Sequence, residues 1–146
     1  MLGVRKFVCL SWTDRNLLIS AGLLLGGTRL GLWLLPFRAV QRIAARLAQP
    51  HASARSPNRF SVDRLVWAVT VASRYVPKAT CLTQGTALYV LLRREGFPGG
   101  LRIGIAEDEK GRLQGHAWVE SEGRVVIGGA DLGRFTPLPA LELETP

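Results

Sequence analysis

At 146 residues, 47% of them hydrophobic, the chain is the size of one domain that can bury a core. Its net charge of +8 is unevenly placed: residues 1–60 carry nine Lys/Arg against Asp14 alone, while residues 61–146 balance ten basic with ten acidic side chains. Two cysteines (Cys9, Cys81) and two histidines (His51, His116) stand in no metal-ligand spacing, and no nucleotide-binding glycine motif occurs, so neither metal nor cofactor is expected.

The basic N-terminal part invites an acidic partner or an anionic membrane. Leu17 to Leu35 is almost continuously apolar, with Gly22-x-x-x-Gly26 and Gly27-x-x-x-Gly31 at helix-packing spacing. Arg29 inside the run would cost about 2.5–3.5 kcal/mol at a bilayer centre. Basic residues flank both ends, so the asymmetry that orients a spanning helix is missing. No small-x-small cleavage site follows, which argues against a secretory signal. Asp14 is placed to cap this segment, and Pro36 breaks it before a basic amphipathic helix, Arg38 to Leu47. The expectation is two packed helices that lean on the rest of the chain or on a partner, with peripheral membrane contact favoured over spanning.

Gln49 to Asn58 reads as a linker, with Pro50, Pro57, Ser53 and Ser56. Ser61 then caps a helix whose Val62, Leu65, Val66, Val69 and Val76 fall on one stripe. Pro77 ends it, Thr80 is an acceptable N-cap, and Cys81 becomes the first residue of a further helix that stops at Gly96. The period then changes. Leu101–Ile105, Leu113–Glu120 and Arg124–Ile127 read as strands joined by the turns Glu107–Gly111 and Glu122-Gly123. By alternation His116, Trp118 and Glu120 share one face and Ala117 and Val119 the other. The acidic tail, Pro139 to Pro146, is expected to fray.

Chemistry gathers between Thr80 and Asp131. A thiol at a helix start meets unpaired N–H groups and the positive end of the dipole, both of which favour thiolate. The Cys81 N–H is the obvious donor to a tetrahedral oxyanion. A lone cysteine in an apolar helix is more often a small buried hydrophobe, and a lone histidine beside a tryptophan is more often structural. The order Cys81, His116, Asp131 changes that balance, because it supplies a nucleophile, a base and an orienting acid.

These residues also carry a resemblance. Cys81-Leu82 with Ala87-Leu88, then Gly115-His116-Ala117-Trp118-Val119-Glu120, then Phe135-Thr136-Pro137-Leu138, resemble the B2 proteins of lasso-peptide biosynthesis. Those are leader peptidases of the transglutaminase-like cysteine-protease superfamily, and the likeness runs from about Phe60 to Leu138. It implies a Cys-His-Asp triad that maps onto Cys81, His116 and an aspartate. Some relatives carry the acid at a position matching about Gly128; here Gly128-Gly129 stands there, and Asp131 is the acid left in the segment.

The expected fold is α+β: N-terminal helices over residues 1–59, then a transglutaminase- or papain-like core over 60–146, with the Cys81 helix packed on a small antiparallel sheet. The expected function is a cysteine peptidase that removes the leader from a ribosomally made precursor. The resemblance supplies the partners: the precursor, a leader-binding (RRE-type) B1 protein and a lasso cyclase, with no nucleic acid. A free catalytic thiol suits the cytoplasm, with a peripheral place at the inner membrane face as an extension. Two other readings stay open, a transglutaminase-like acyl transferase using the same triad and a non-catalytic basic module that binds a membrane surface or partner.

Overall fold

In the computed structural model, residues 4–49, 60–130, 132–138 and 143–144 are described. The order is α1 (Val4–Val8), α2 (Trp12–Leu34), α3 (Phe37–Leu47), α4 (Val62–Ser73), α5 (Cys81–Arg94), β1 (Gly100–Glu107), β2 (Leu113–Ser121), β3 (Arg124–Ile127), a 3-10 turn (Leu132–Arg134), β4 (Thr136–Pro137) and β5 (Leu143–Glu144). The class is α+β: helices first, then a small antiparallel sheet ordered β3-β2-β1-β4, with β5 also pairing β1.

Local chemistry sets the helix ends. Ser61 Oγ accepts from Arg64 N–H at 3.2 Å and starts α4. At α2 the cap is Ser11, whose hydroxyl accepts from Asp14 N–H at 3.1 Å, so the helix begins five residues before Leu17. Asp14 is thereby placed in the first turn, where its carboxylate pairs with Arg64 of α4, Nε to Oδ1 at 3.0 Å. That guanidinium also lies over the Trp67 ring at 3.9 Å, fixing α2 to α4 at one end.

One face of α2 enters the main core. Leu17, Leu18, Ala21 and Leu25 pack with Leu65, Ala68 and Val69 of α4 and with Ala87 to Leu92 of α5. The apolar segment is therefore largely a core helix on that side, while Ala44 of α3 and Ala48, which caps that helix, join the same cluster. The sheet closes the core from the other side through Leu101, Ala117 and Val119.

Two turns explain the meander. Asp108 accepts from the backbone N–H groups of Lys110 and Arg112, both at 2.9 Å, and closes the β1–β2 connection. Arg112 N–H to Asp108 is also the main reason that carboxyl is held below its usual range. Glu122 and Gly123 both have positive φ, 53° and 78°, as a two-residue hairpin loop with the strand twist requires. Leu143–Glu144, expected in a frayed tail, instead pairs with Leu101 and Gly100 of β1. The expected linker, Gln49 to Asn58 with His51, lies outside the described residues apart from Gln49.

Candidate active site

The site begins with how α5 starts. Thr80 Oγ1 accepts from Thr83 N–H at 3.4 Å and the Thr80 carbonyl accepts from Gln84 N–H at 2.9 Å. The Cys81 and Leu82 N–H groups are those left at the helix start without an intrahelical acceptor. Gln84 Nε2 donates back to the Ala79 carbonyl at 2.9 Å, bracing the segment that delivers the thiol. Cys81 is half-buried against the core, while the body of the helix behind it, from Gly85 to Leu92, is buried throughout.

Two contacts give the direction of α5 over the sheet. Leu92 sits against Gly99, close to the Glu120 carbonyl, and Gly85 lies over Leu101, Ala117 and Val119. Gly85 is needed there: a Cβ would stand 2.7 Å from Leu101 Cδ1. Carried one turn further, the axis brings Cys81 to the end of β2 that bears His116.

His116 alternates with Ala117, so its imidazole projects from the sheet face opposite the one on which α5 packs. There it is held on three sides. Its centroid lies 5.0 Å from the Phe135 ring and 6.2 Å from the Trp118 ring. Nε2 lies 2.7 Å from the Gly128 carbonyl oxygen. A carbonyl only accepts, so Nε2 carries the proton and, in the neutral ring, Nδ1 carries the lone pair. Cys81 and His116 thus stand toward one end of β2 but on opposite faces of the sheet, and among the described residues no hydrogen bond joins thiol to ring.

Gly128 earns its place by two features: φ is +77°, and a Cβ would fall 2.6 Å from the Ala117 carbonyl oxygen. Gly104, directly opposite His116 on β1, clears the same face, because a Cβ there would be 3.0 Å from Phe135 Cβ and 3.1 Å from Trp118 Cζ3. Neither role was visible as a motif; pairing register and a positive φ reveal them. Asp131 lies outside the described residues. Glu120, the other acid on the His116 face, accepts from Trp118 Nε1–H at 3.0 Å and pairs with Arg102 at 3.5 Å.

A helix-start cysteine and a histidine of fixed tautomer are residue types that a thiol-dependent acyl-transfer site uses, here set on opposite faces of one sheet. The family model described as Transglutaminase-like superfamily matches residues 28–140. The chain belongs to the transglutaminase-like superfamily. Members of this superfamily often carry cysteine-protease or acyltransferase activity. The matched span begins within α2, so it takes in the last turns of that helix and α3 as well as α4, α5 and the sheet. Comparison with curated proteins and with solved structures returns no match.

Proposed function

We propose that this transglutaminase-like protein is a cysteine peptidase that removes the leader from a ribosomally made lasso precursor peptide. The observation that carries the chemistry is Cys81 as first residue of capped α5, at the His116 end of β2, with that ring's Nε2–H committed to Gly128. Nδ1 is thereby the ring atom with the lone pair, and to take the thiol proton it must come round to the α5 side in the substrate complex. Catalytic hydrogen bonds of this kind often tighten only in the substrate complex.

The Cys81 thiolate attacks the scissile carbonyl, and the oxyanion is received by the Cys81 N–H. The imidazolium returns its proton to the leaving amine as the C–N bond breaks, leaving a thioester on Cys81. Water, deprotonated by Nδ1, then releases the leader as an acid and restores the thiol. Asp131 is three residues beyond Gly128, and we assign it the role of facing the imidazolium when that charge forms. Where the resemblance puts an acid near Gly128, this chain offers a main-chain carbonyl instead, which can orient the ring but brings no charge.

The Gly115–Glu120 block and the Cys81-Leu82 helix start support the lasso-leader substrate, and with it a B1-type leader-binding protein and a cyclase as partners. The cytoplasm is the proposed compartment. Incubating the full chain with precursor and its leader-binding protein should give two fragments whose masses sum to the precursor plus one water. An amine adduct or cross-linked product instead would assign acyl transfer, and no reaction with intact Cys81 would remove the peptidase reading.

A further inference from the structure

The side of α2 turned away from the core is apolar as well. Trp12, Ile19, Leu23, Leu30 and Trp33 fall within an arc of about 100° and are all exposed, Trp12 at 71%, Leu23 at 72% and Trp33 at 75%. Apolar clefts border this stripe on both flanks. One, of about 310 Å³, runs toward α1 and is lined by Phe7, Ile19 and Tyr75; the other, of about 170 Å³, runs toward α3 and is lined by Leu23, Ile43 and Leu47. So the exposed apolar surface is continuous across three helices, well beyond scattered surface leucines. Its rim is cationic: Arg38, Arg42 and Arg46 recur one turn apart on α3, and all are exposed. The only acid in residues 1–60 is Asp14, which Arg64 already occupies.

We propose that this face docks on an anionic lipid bilayer. In that arrangement α2 lies in the plane of the headgroups, its outward stripe sunk among acyl chains and the α3 arginines on lipid phosphates. Tryptophans near both ends of the stripe suit the boundary between headgroup and chain. Length and composition alone would also let α2 cross a membrane. Its inner face, however, is packed on α4 and α5 and tied by the Asp14–Arg64 pair, so crossing would tear the core open. A second copy of the chain is disfavoured as the occupant, because it would press two cationic rims together with no acid free to offset them. The surface is independent of the chemistry at Cys81.

Sedimentation of the full-length protein with phosphatidylcholine vesicles, with or without about a quarter phosphatidylglycerol, tests this. Binding is expected to the anionic vesicles only and to fall with added salt. Arg38→Gln/Arg42→Gln/Arg46→Gln should weaken it by about a hundredfold, and Leu23→Ser/Trp33→Ser by at least about tenfold. All five positions are exposed, so both variants should keep the wild-type melting curve; the salt dependence of the unmodified protein needs no variant at all. Failure of the wild type to bind anionic vesicles would overturn the proposal, as would binding unaffected by either set of changes. A stable dimer that Leu23→Ser dissociates, without vesicle binding, would give the face to a second copy and overturn it too.

Discussion

The two cysteines separate cleanly by surroundings. Cys9 is exposed, whereas Cys81 is half-buried at a helix start. Access alone would direct alkylation to Cys9, so labelling that inactivates through Cys81 reports thiolate character rather than exposure. Cys9→Ser should leave turnover intact and iodoacetamide inactivation unchanged, while Cys81→Ala should abolish cleavage. Peptide mapping of the labelled enzyme against residual activity decides it. At His116 the question is what orients the ring. In a serine-protease triad the aspartate-to-asparagine change costs about 10⁴ in rate. Asp131→Asn should keep the wild-type melt and lose most turnover; near-wild-type rates would leave orientation to the Gly128 carbonyl alone. Gly128→Ala is the complementary change. Its Cβ would meet the Ala117 carbonyl at 2.6 Å, so the loop must shift and carry the ring's acceptor with it. Turnover should fall with at least about 1 kcal/mol of stability, and ring 15N shifts of His116 should show Nε2 no longer fixed as the donor.

At the level of elements, most boundaries followed from chemistry that is local in sequence. Thr80 and Ser61 mark helix starts because a hydroxyl acts within three residues, and the Glu122-Gly123 turn needs only positive φ. The end of α4 differs: the helix stops at Ser73 with Arg74 as its cap, so Val76, expected on its stripe, and Pro77, expected to end it, both lie beyond the helix. The start of α2 was harder: Ser11 and Asp14 are both good capping types, and only the hydroxyl contact to Asp14 N–H decides between them. The site was legible in part for the same reason. Cys81 and His116 stand out by position and residue type, but Gly104, Gly128 and Phe135 act through register and backbone conformation, which no side-chain pattern announces. The α2–α4 tie is likewise non-local, joining residues fifty apart. The hydrogen bond from Arg64 holds the Asp14 carboxyl below its ordinary value. A lowered folded value means this pair contributes in full above the usual carboxylate range and is lost as pH falls through the lowered one. Arg64 is more than a third exposed, so the contribution is small, about 0.2–1 kcal/mol. Asp14→Asn should therefore lower stability slightly at neutral pH and flatten the acid limb of the denaturant midpoint against pH.

For the whole molecule, net charge divides near residue 60, yet hydrophobic burial runs across that boundary. Leu17, Ala21 and Leu25 sit in the same cluster as Leu65 and Leu88, and the superfamily match starts inside α2. Removing residues 1–59 should thus expose the α4 and α5 faces and yield a chain without a cooperative thermal transition. A sharp melt near that of the full chain would show that the later part folds alone. Composition could not settle this, because a helix apolar on both sides reads the same whether its second face meets protein or lipid.

The burial of α5 also sets a time scale. Nearly every side chain from Gly85 to Leu92 is enclosed between α2, α4 and the sheet, whereas α1 has no buried residue. Backbone amides open to solvent in proportion to how much structure must give way first, so exchange with deuterium should be slowest along that stretch and across Ala117–Val119. Those amides should exchange only with global unfolding, hours behind α1 and the exposed flank of α3. The thiol is thereby mounted at the tip of the slowest-opening segment of the chain, while the amides of Cys81 and Leu82, just ahead of it, should exchange early.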